Sequence, residues 1–471
     1  MKPSAVPQST LTDFPALFQQ HRAHAPQVAQ RDAKARATVI KRMIDYARAH
    51  ESELQQAMMA DFRKAPAEVL LTELLPFVQE ANFVRRQLPR WIKPQRVPTP
   101  LPLAGTSSYI RREPKGTVLI ISPWNYPFLL TMSPLVSAIA AGNTVIIKPS
   151  EMTPHTSAFM RKMVEALFPV EEVAVCEGDA TVAQALLDLP FNHVFFTGSP
   201  RVGKIVMRAA AQHLTPVTLE LGGKSPAIID ASADLTQAAQ KIAWGKSVNM
   251  GQTCISPDYV LVPEAQAETF VQAYAQALQS MYGPEPAESP DYCRLINDRN
   301  FARVHGLLED ALAQGATARI GGEADPTQRY IAPTLLTGVN KEMAIMQEEI
   351  FGPILPVLTY RDPAEVLQTM AGLPRPLAMY VFARDTSRIE YYLNQSISGD
   401  VLINDCLLHF AHSHLPFGGI NNSGIGKSHG YAGFKEFSHE RSVMVQKLGL
   451  TKVLYPPYRE SLMQWVRRFM P

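Results

Sequence analysis

Continuous apolar runs separated by helical patterns dominate the middle of the chain. The segments 117–121 and 144–147 are apolar after an opening threonine, and a helix-like stretch at 133–141 lies between them. Strands that are apolar on both faces are typical of a parallel sheet covered by helices on both sides. Further short apolar runs follow at 173–175, 193–196, 217–219 and 227–229. The pattern therefore predicts a doubly wound α/β domain.

A second alternating block begins at the apolar run 258–262. A helix near 265–281 and strands near 378–382 and 401–403 belong to it. Because strands again alternate with helical segments, we expect a second doubly wound α/β domain.

Amphipathic helices and an extended segment precede the first sheet. Apolar residues recur at helical spacing over 33–59, and a second helical stretch covers 72–88. Prolines at positions 94, 98, 100 and 102 then end the helical pattern, and residues 108–112 alternate like a half-exposed strand. We therefore expect an extended arm that crosses between the two domains.

Composition limits the class of protein. The 471 residues, of which 46% are hydrophobic and 19% charged, are typical of a globular protein with two or three domains. A net charge of +2 without a long Lys/Arg run argues against nucleic-acid binding. The four cysteines are far apart, and neither a signal-peptide pattern nor an apolar run long enough to span a membrane is present. These features predict a cytoplasmic protein without a membrane span.

Cys254 is the strongest candidate for a catalytic residue. It lies in the segment 251–257, GQTCISP, where small and polar neighbours replace the apolar flanks of a packing cysteine. A thiolate is an effective nucleophile near neutral pH. Glu220 ends an apolar strand beside Gly222 and Gly223, where the backbone can open around a substrate, and is the candidate base.

The segment 196–204, FTGSPRVGK, admits more than one interpretation. It follows a strand and opens a helix, where free N–H groups can meet a phosphate. A Walker A loop needs Ser or Thr after Lys204, and Ile205 stands there. The dinucleotide fingerprint is also incomplete, because only Gly198 and Gly203 are present. From this loop alone an ordinary strand–helix turn is favoured.

Other polar segments stay ambiguous when each is considered alone. The Asn125 amide, in PWNYP after the first buried strand, can donate to an oxyanion or cap the next helix, and capping is slightly favoured. Lys148 and Glu151 can bind sugar hydroxyls or form a surface salt bridge, and the Glu348–Glu349 pair is equally open. Three histidines without a nearby cysteine give no convincing metal site, and we predict none: His409, His412 and His414.

Seven segments together resemble the NAD(P)-dependent aldehyde dehydrogenase superfamily over essentially the whole chain. They stand in the family order: PWNYP at 123, KPSE at 148, FTGS at 196, ELGGKSP at 220, GQTCISP at 251, EEIFGP at 348 and PFGG at 416. The segments 109–116 and 437–441 resemble the class 3 branch. Within that branch, 291–299 and 401–419 are most similar to the coniferyl aldehyde dehydrogenase group.

The resemblance implies catalytic roles for three residues. Cys254 would add to the aldehyde carbon to give a thiohemiacetal, and hydride transfer to nicotinamide would leave a thioester. Asn125, with the backbone N–H of Cys254, would hold the oxyanion. Glu220 would deprotonate the water that releases the carboxylic acid.

The resemblance also implies a binding site for NAD or NADP. Lys148 and Glu349 would bind the riboses, and Phe351 would pack near the nicotinamide ribose. Glu151 would face the adenosine ribose, where a carboxylate disfavours a 2′-phosphate, although class 3 members can use both cofactors. The residues expected near the pyrophosphate are Trp124, Gly198, Ser199 and Gly203.

The family fold implies a Rossmann-type cofactor domain, a catalytic domain and a bridging arm, in a homodimer. Their expected bounds are 1–98 with 117–220, 221–430, and 99–116 with 431–471. Coniferyl aldehyde is the first expected substrate, and a medium or long apolar aldehyde is the alternative. Two departures affect specificity or location: Asn421 replaces a usual glycine near the substrate mouth, and 462–470 is a short amphipathic stretch.

Two competing functions are compatible with such a fold. A CoA-acylating enzyme passes the acyl group to CoA and typically lacks the base, so Glu220 argues against it. A non-catalytic member would have lost at least one of Cys254, Glu220 and Asn125, and the chain has all three.

Overall fold

The computed structural model describes residues 13–449 and 455–468. Its α-helices are α1 Phe14–Ala29, α2 Ala33–Ala49, α3 Glu51–Phe62, α4 Pro66–Val69, α5 Leu75–Trp91, α6 Leu129–Ala141, α7 Pro154–Leu167, α8 Ala180–Leu187, α9 Pro200–Ala211, α10 Leu235–Ser247, α11 Ala267–Tyr282, α12 Asp298–Ala313, α13 Ala344–Gln347, α14 Pro363–Ala371, α15 Thr386–Gln395, α16 Gly430–Glu436 and α17 Glu460–Arg468. A π-helical turn, Leu70–Leu74, joins α4 to α5.

The strands form four sheets. They are β1 Gln95–Val97, β2 Thr106–Pro114, β3 Thr117–Ile121, β4 Thr144–Lys148, β5 Val173–Val175, β6 His193–Gly198, β7 Val217–Leu221, β8 Pro226–Ile229, β9 Tyr259–Pro263, β10 Thr317–Ile320, β11 Ala324–Asp325, β12 Tyr330–Ile331, β13 Thr334–Thr337, β14 Ile354–Tyr360, β15 Ala378–Phe382, β16 Asp400–Ile403, β17 Gly424–Ile425 and β18 Ser438–Gln446.

The first large sheet has the order β17-β7-β6-β3-β4-β5, parallel except for β17. Val118 and Ile120 of β3 pack into a core with α2, α5, α6 and α7, whereas Leu119 and Ile121 pack into another core with α1, α8 and α9. Alternate residues of β3 therefore lie on opposite faces of the sheet. This confirms the predicted doubly wound domain, and explains why β3 is apolar throughout.

The chain order in this sheet creates a crevice at its centre. From β3 the chain proceeds outward through β4 to β5, and then returns to β6 on the other side of β3. Loops at the carboxyl ends of the two central strands diverge at such a switch point, where open α/β sheets bind ligands. The segments that follow β3 and β6 carry Asn125 and Ser199.

The second large sheet has the order β10-β13-β14-β9-β8-β15-β16. Its pairs are parallel except β10 with β13 at one edge. Ala227 and Ile229 of β8 face a core with α10 and α11, whereas Ile228 faces a core with α12. The second predicted α/β block is therefore present.

A three-stranded antiparallel sheet, β1-β2-β18, forms the arm. β18 pairs with β2 from Ser438 opposite Pro114 to Gln446 opposite Thr106. The proline-rich segment contributes β1 to this sheet and then forms a 3₁₀ turn at Leu101–Leu103, so it is extended only in part.

Two helical segments differ from the expected pattern. The periodic segment 33–59 is two helices, because the chain breaks at His50 between α2 and α3. α6 begins at Leu129, four residues before the expected stretch, and its residues are buried nearly all round. An all-apolar sequence carries no periodicity that would mark such a start. No helix among residues 13–449 and 455–468 is long and apolar enough to cross a membrane.

Candidate active site

The backbone immediately before Cys254 adopts an uncommon conformation. Asn249, Met250 and Gly251 have φ values of 52°, 54° and 70°, three left-handed residues in succession. Such φ values are costly for residues other than glycine, and they concentrate at functional sites. Position 251 requires glycine, since a Cβ there would lie 2.3 Å from the carbonyl oxygen of Gly352. The turn places Cys254, which is half-buried, just beyond the end of α10.

Hydrogen bonds join this turn to the segment that follows β3. The Asn249 amide donates to the carbonyl oxygens of Asn125 at 2.9 Å and Gln252 at 3.1 Å. The Asn125 amide donates to the same Gln252 carbonyl at 3.1 Å. Phe128, not Asn125, precedes α6, so the capping interpretation of Asn125 is wrong. The hydrogen bond to Gln252 uses one of the two amide hydrogens of Asn125.

Tyr126 contacts Thr253, the residue that precedes Cys254. Its hydroxyl lies 2.7 Å from Thr253 Oγ1, and its ring lies 3.9 Å from the ammonium of Lys64. Lys64 is fully buried and pairs with Glu73 at 3.0 Å. Tyr126 therefore contacts the loop of Cys254 rather than solvent.

Glu220 is the next-to-last residue of β7 and is 6% exposed. The Ser428 hydroxyl donates a short hydrogen bond to its carboxylate, and lies 2.9 Å from Nδ1 of His429. Burial raises the pKa of Glu220 to about 7, although the hydrogen bond from Ser428 opposes the shift. A carboxylate that titrates near neutral pH suits general-base catalysis.

Two carboxylates influence the thiol. Burial raises the pKa of Cys254, and the negative charges of Glu349 and Glu220 raise it further. Burial and the charge of Asp258 raise the pKa of Glu349 itself to about 8. The Glu349 carboxylate lies over Gly222, where a Cβ would be 2.0 Å from Oε2. The thiol is therefore protonated at rest, and nucleophilic attack requires a base.

A buried charge cluster holds the segment that carries Glu349. Lys224 donates to Asp258 at 2.5 Å and to the carbonyl oxygens of Ile345 and Glu348 at 2.8 Å and 2.9 Å. Asp258 also accepts the backbone N–H of Ile350 at 3.1 Å. The cluster thereby fixes the backbone on both sides of Glu349.

A small pocket lies at the carboxyl ends of β4 and β5. Its walls are Pro149, Ser150, Glu151, Pro154, Ser157, Glu177 and Gly178. Lys148 pairs with Glu151 at 2.7 Å rather than with Glu349. Within the described residues Glu177 Oε1 is buried without a hydrogen-bond partner, while Oε2 accepts from Arg161 at 3.0 Å.

The remaining expected cofactor residues line the central crevice. Ser199 caps α9, its hydroxyl accepting from the N–H of Val202 at 3.4 Å, so the N-terminus of a 12-residue helix opens there. Gly203 lets α9 approach β7, because a Cβ would lie 2.8 Å from Leu221 Cδ2. The Trp124 and Phe351 rings meet edge to face with centroids 5.3 Å apart. Gly198 is the last residue of β6.

Asn421 keeps the backbone shape that glycine would give. Its φ is 54°, in the left-handed region that asparagine tolerates better than most residues. Arg375 donates to its side-chain oxygen at 2.6 Å. The loop then forms β17, which pairs Gly424 with Glu220.

Two further cysteines and the three histidines differ in exposure. Cys176 and Cys406 are fully buried. His409 is buried, whereas His412 and His414 are exposed. In the part of the chain that the structure describes, no group of three or more His, Cys, Asp or Glu side chains converges as a metal site would require.

Comparisons with known proteins identify the family. The profile described as "Aldehyde dehydrogenase family" matches residues 3–443. The 4,4'-diaponeurosporen-aldehyde dehydrogenase of Staphylococcus aureus is 42% identical over 91% of this chain and 93% of that protein. The "Probable coniferyl aldehyde dehydrogenase" of Pseudomonas aeruginosa is 41% identical over 98% of this chain and 96% of its own length. "Aldehyde dehydrogenase family 3 member A2" of Pongo abelii is 41% identical over 89% and 86%, respectively.

Solved structures show the same fold. A substrate-bound Staphylococcus aureus AldH superposes with a TM-score of 0.93 at 40% identity, covering 98% of this chain and 100% of the other. An NAD+ complex of aldehyde dehydrogenase from Bacillus cereus gives 0.85 at 30% identity, covering 92% and 89%. An NADP-dependent enzyme from E. coli gives 0.84 at 27% identity, covering 92% and 90%.

Proposed function

The chain belongs to the aldehyde dehydrogenase family, and we propose that it oxidises an aromatic or long apolar aldehyde to the carboxylic acid through a thioester on Cys254. Oxidation of aldehydes with NAD or NADP follows from family membership. The residue roles and the substrate class are the proposal. Coniferyl aldehyde is the first candidate substrate, and a medium or long fatty aldehyde is the second.

In the first step the thiol of Cys254 adds to the aldehyde carbon. The thiol proton passes to Glu349, the carboxylate whose charge raises the pKa of the thiol most, so that Glu220 stays available as the base for water. The second amide N–H of Asn125 and the backbone N–H of Cys254 stabilise the oxyanion that forms. A thiohemiacetal on Cys254 results.

When bound, the nicotinamide ring accepts the hydride that leaves this thiohemiacetal. Glu220 then takes a proton from a water molecule as its oxygen attacks the thioester carbonyl. The carbon–sulfur bond breaks, Cys254 leaves as thiolate, and the acid is released. Ser428 keeps the Glu220 carboxylate in place between turnovers through its hydrogen bond.

One observation carries the hydrolytic assignment: Glu220 is buried beside the thiol with a pKa near 7. Transfer of the acyl group to the thiol of CoA needs no base that activates water, so this arrangement supports hydrolysis over CoA acylation.

The names of two similar proteins support the substrate class. They refer to large apolar or aromatic aldehydes, 4,4'-diaponeurosporen-aldehyde and coniferyl aldehyde.

We propose that the protein is cytoplasmic. All four cysteines are free, as expected in the reducing cytoplasm. We also propose a homodimer, as the resemblance to the class 3 branch implies. We also propose the division into a cofactor domain, a catalytic domain and a bridging arm at the bounds expected from the sequence.

The test is the absorbance of reduced nicotinamide with purified protein, NAD or NADP and an aldehyde panel, without CoA. The panel runs from acetaldehyde through nonanal and benzaldehyde to coniferyl aldehyde. Sustained reduction that is fastest with the aromatic or long apolar members supports the proposal, and Cys254→Ser should abolish it. Turnover only when CoA is added would contradict hydrolysis.

A further inference from the structure

A chain of hydrogen bonds links the arm to the segment that holds the base. The Lys115 ammonium, between β2 and β3, lies 3.1 Å from Nδ1 of His193, whose Nε2 lies 3.0 Å from the Thr218 hydroxyl. Thr218 in turn donates to Oε2 of Glu436 at 2.8 Å. Glu436 is the last residue of α16, and its Oε1 accepts the backbone N–H of Lys427 at 3.3 Å. The chain therefore ends one residue before the hydroxyl partner of the base.

The hydrogen bonds in this chain share one direction. Burial lowers the pKa of His193 well below its usual range, and the charge of Lys115 lowers it further, so the ring is neutral. The Lys115 ammonium can only donate, so Nδ1 accepts and Nε2 carries the hydrogen that is donated to Thr218. The Thr218 hydroxyl donates its one hydrogen to Glu436. Each group therefore fixes the orientation of the next.

The two groups in the middle of the chain are buried. His193 is 1% exposed, and Thr218 is 0% exposed. Hydrogen bonds are stronger in such a low-dielectric environment than at the surface, and a fully satisfied network holds one geometry. The chain is therefore suited to holding Glu436 in a fixed position.

Glu436 packs against the turn that carries Ser428. Gly426 has a φ of 83°, and a Cβ there would lie 3.0 Å from Oε2 of Glu436. Ser428 itself pairs with Phe417 through backbone hydrogen bonds of 2.7 Å and 3.1 Å. Glu436 thus holds the residues before Ser428, and Phe417 holds Ser428 itself. Both contacts help to place the Ser428 hydroxyl against the carboxylate of Glu220.

We infer that Glu436 is a positioning residue for the base and acts through Ser428. By holding the backbone of Lys427, it keeps the Ser428 hydroxyl in place to donate to Glu220. Glu436 itself touches no reacting atom, and no bond is broken in this role. The inference rests on the proposed function, since it assigns a support to the group that activates water.

The Ser428 contact has a measurable consequence because it opposes the burial of the base. Burial raises the Glu220 pKa most, and the charge of Asp400 raises it further. The hydrogen bond from Ser428 is the main influence that lowers this pKa, with smaller contributions from the Thr197 hydroxyl and the charge of Lys427. A displaced Ser428 hydroxyl would therefore raise the Glu220 pKa.

Two other titratable groups near the base are neutral around pH 7. Burial lowers the pKa of His429, whose Nδ1 lies 2.9 Å from the Ser428 hydroxyl, to about 4. Burial also raises the pKa of the Cys254 thiol. A shift of the pH profile near neutrality is therefore assigned to Glu220.

The inference is tested by the rate at which the thioester on Cys254 is hydrolysed, measured against pH in quenched single turnovers. In Glu436→Gln an amide group replaces one oxygen, so one of the two contacts of Glu436 is lost. The acidic limb should move upward by roughly 0.5 to 1 pH unit, the size expected when a carboxylate loses one hydrogen bond. Hydrolysis at pH 6 should then be about 3- to 10-fold slower, with an unchanged plateau at high pH. Removal of a negative charge alone would move the limb in the opposite direction.

Matched variants of Thr218 separate hydrogen bonding from packing. Thr218→Val removes the hydroxyl and keeps the shape, so it should move the limb upward, whereas Thr218→Ser keeps the hydroxyl and should retain most of the unmodified profile. In a Ser428→Ala background, Glu436→Gln should add little, because the hydroxyl that it positions is absent. Glu390→Gln, which removes an exposed carboxylate on α15, is the control and should leave the profile unchanged.

The outcomes distinguish this inference from the proposed function. An unmoved acidic limb in both Glu436→Gln and Thr218→Val would overturn the inference, as would a Glu436→Gln shift that adds fully to that of Ser428→Ala; both results leave hydrolysis by Glu220 standing. Hydrolysis that does not depend on pH, or no acid formed at all, would contradict the proposed function and this inference with it. If Glu436→Gln does not fold, Thr218→Val decides.

Discussion

Replacing Glu220 with glutamine separates the two halves of the reaction. Glutamine keeps the shape and still accepts the hydrogen bond from Ser428, but it cannot take a proton from water. General-base catalysis is worth about 100- to 10,000-fold in rate, so we expect the steady-state kcat to fall by that factor. Acylation of Cys254 should survive, because the variant also removes a negative charge that raises the pKa of the thiol. Glu349 is still available to take the thiol proton.

Rapid mixing of this variant with NAD and aldehyde measures both halves. We expect a burst of reduced nicotinamide close to one per active site, followed by very slow turnover. In the unmodified protein kcat should rise with pH through about 7, because Glu220 must be deprotonated to act. In Glu220→Gln that rise should disappear. Unchanged steady turnover, or an unchanged pH profile, would refute the base role, and Cys254→Ser should show no burst.

Three further perturbations test other parts of the site. The rate of Cys254 alkylation in cofactor-free protein should still increase above pH 9. Glu349→Gln removes an anionic neighbour, so it should lower the apparent pKa of the thiol and speed alkylation at pH 8. Equal alkylation rates in the variant and the unmodified protein would contradict the influence of Glu349 on the thiol. Ser428→Ala removes a hydrogen bond that lowers the Glu220 pKa, so the acidic limb of the kcat profile should move to higher pH, and an unmoved limb would rule out this contact. Gly251→Ala should lower the free energy of unfolding by about 2–4 kcal/mol in thermal melts, because the added Cβ would meet the Gly352 carbonyl. Gly306→Ala is the control: it adds a Cβ in open space on α12 and should be neutral or stabilising.

Much of the scaffold was predictable because it depends on local patterns. β3 and β4 are buried on both faces, and their uninterrupted apolar sequences show it. The positions of Glu220 and Cys254 followed from the strand end and the small-residue loop around them. The domain bounds stay a prediction.

The partners of the base could not be predicted from local patterns. Ser428 reaches Glu220 across 208 residues, through the return of the chain at β17. No periodicity in the glycine-rich segment before it indicates that return. The three left-handed residues before Cys254 likewise depend on contacts with Asn125 and Gly352 that lie far away in sequence.

One missed residue did leave a signal in the sequence. Glu80 lies seven positions after Glu73, on the same face of a helical stretch as the buried Phe77 and Val84. A carboxylate on an apolar helix face has to find a partner or a function, since burial of a charge is costly. The helical spacing of its apolar neighbours is therefore enough to indicate that Glu80 is buried, and its partner in the structure is the backbone N–H of Gly430.

The most direct test of the central claim is the fate of water oxygen during turnover. Purified protein, NAD or NADP and coniferyl aldehyde in oxygen-18 water, without CoA, should yield one reduced nicotinamide per molecule of acid. Mass spectrometry should find one water-derived oxygen in the carboxylate, because water releases the thioester from Cys254. Reduction of nicotinamide without labelled acid, or formation of acid only with CoA present, would contradict hydrolysis by Glu220.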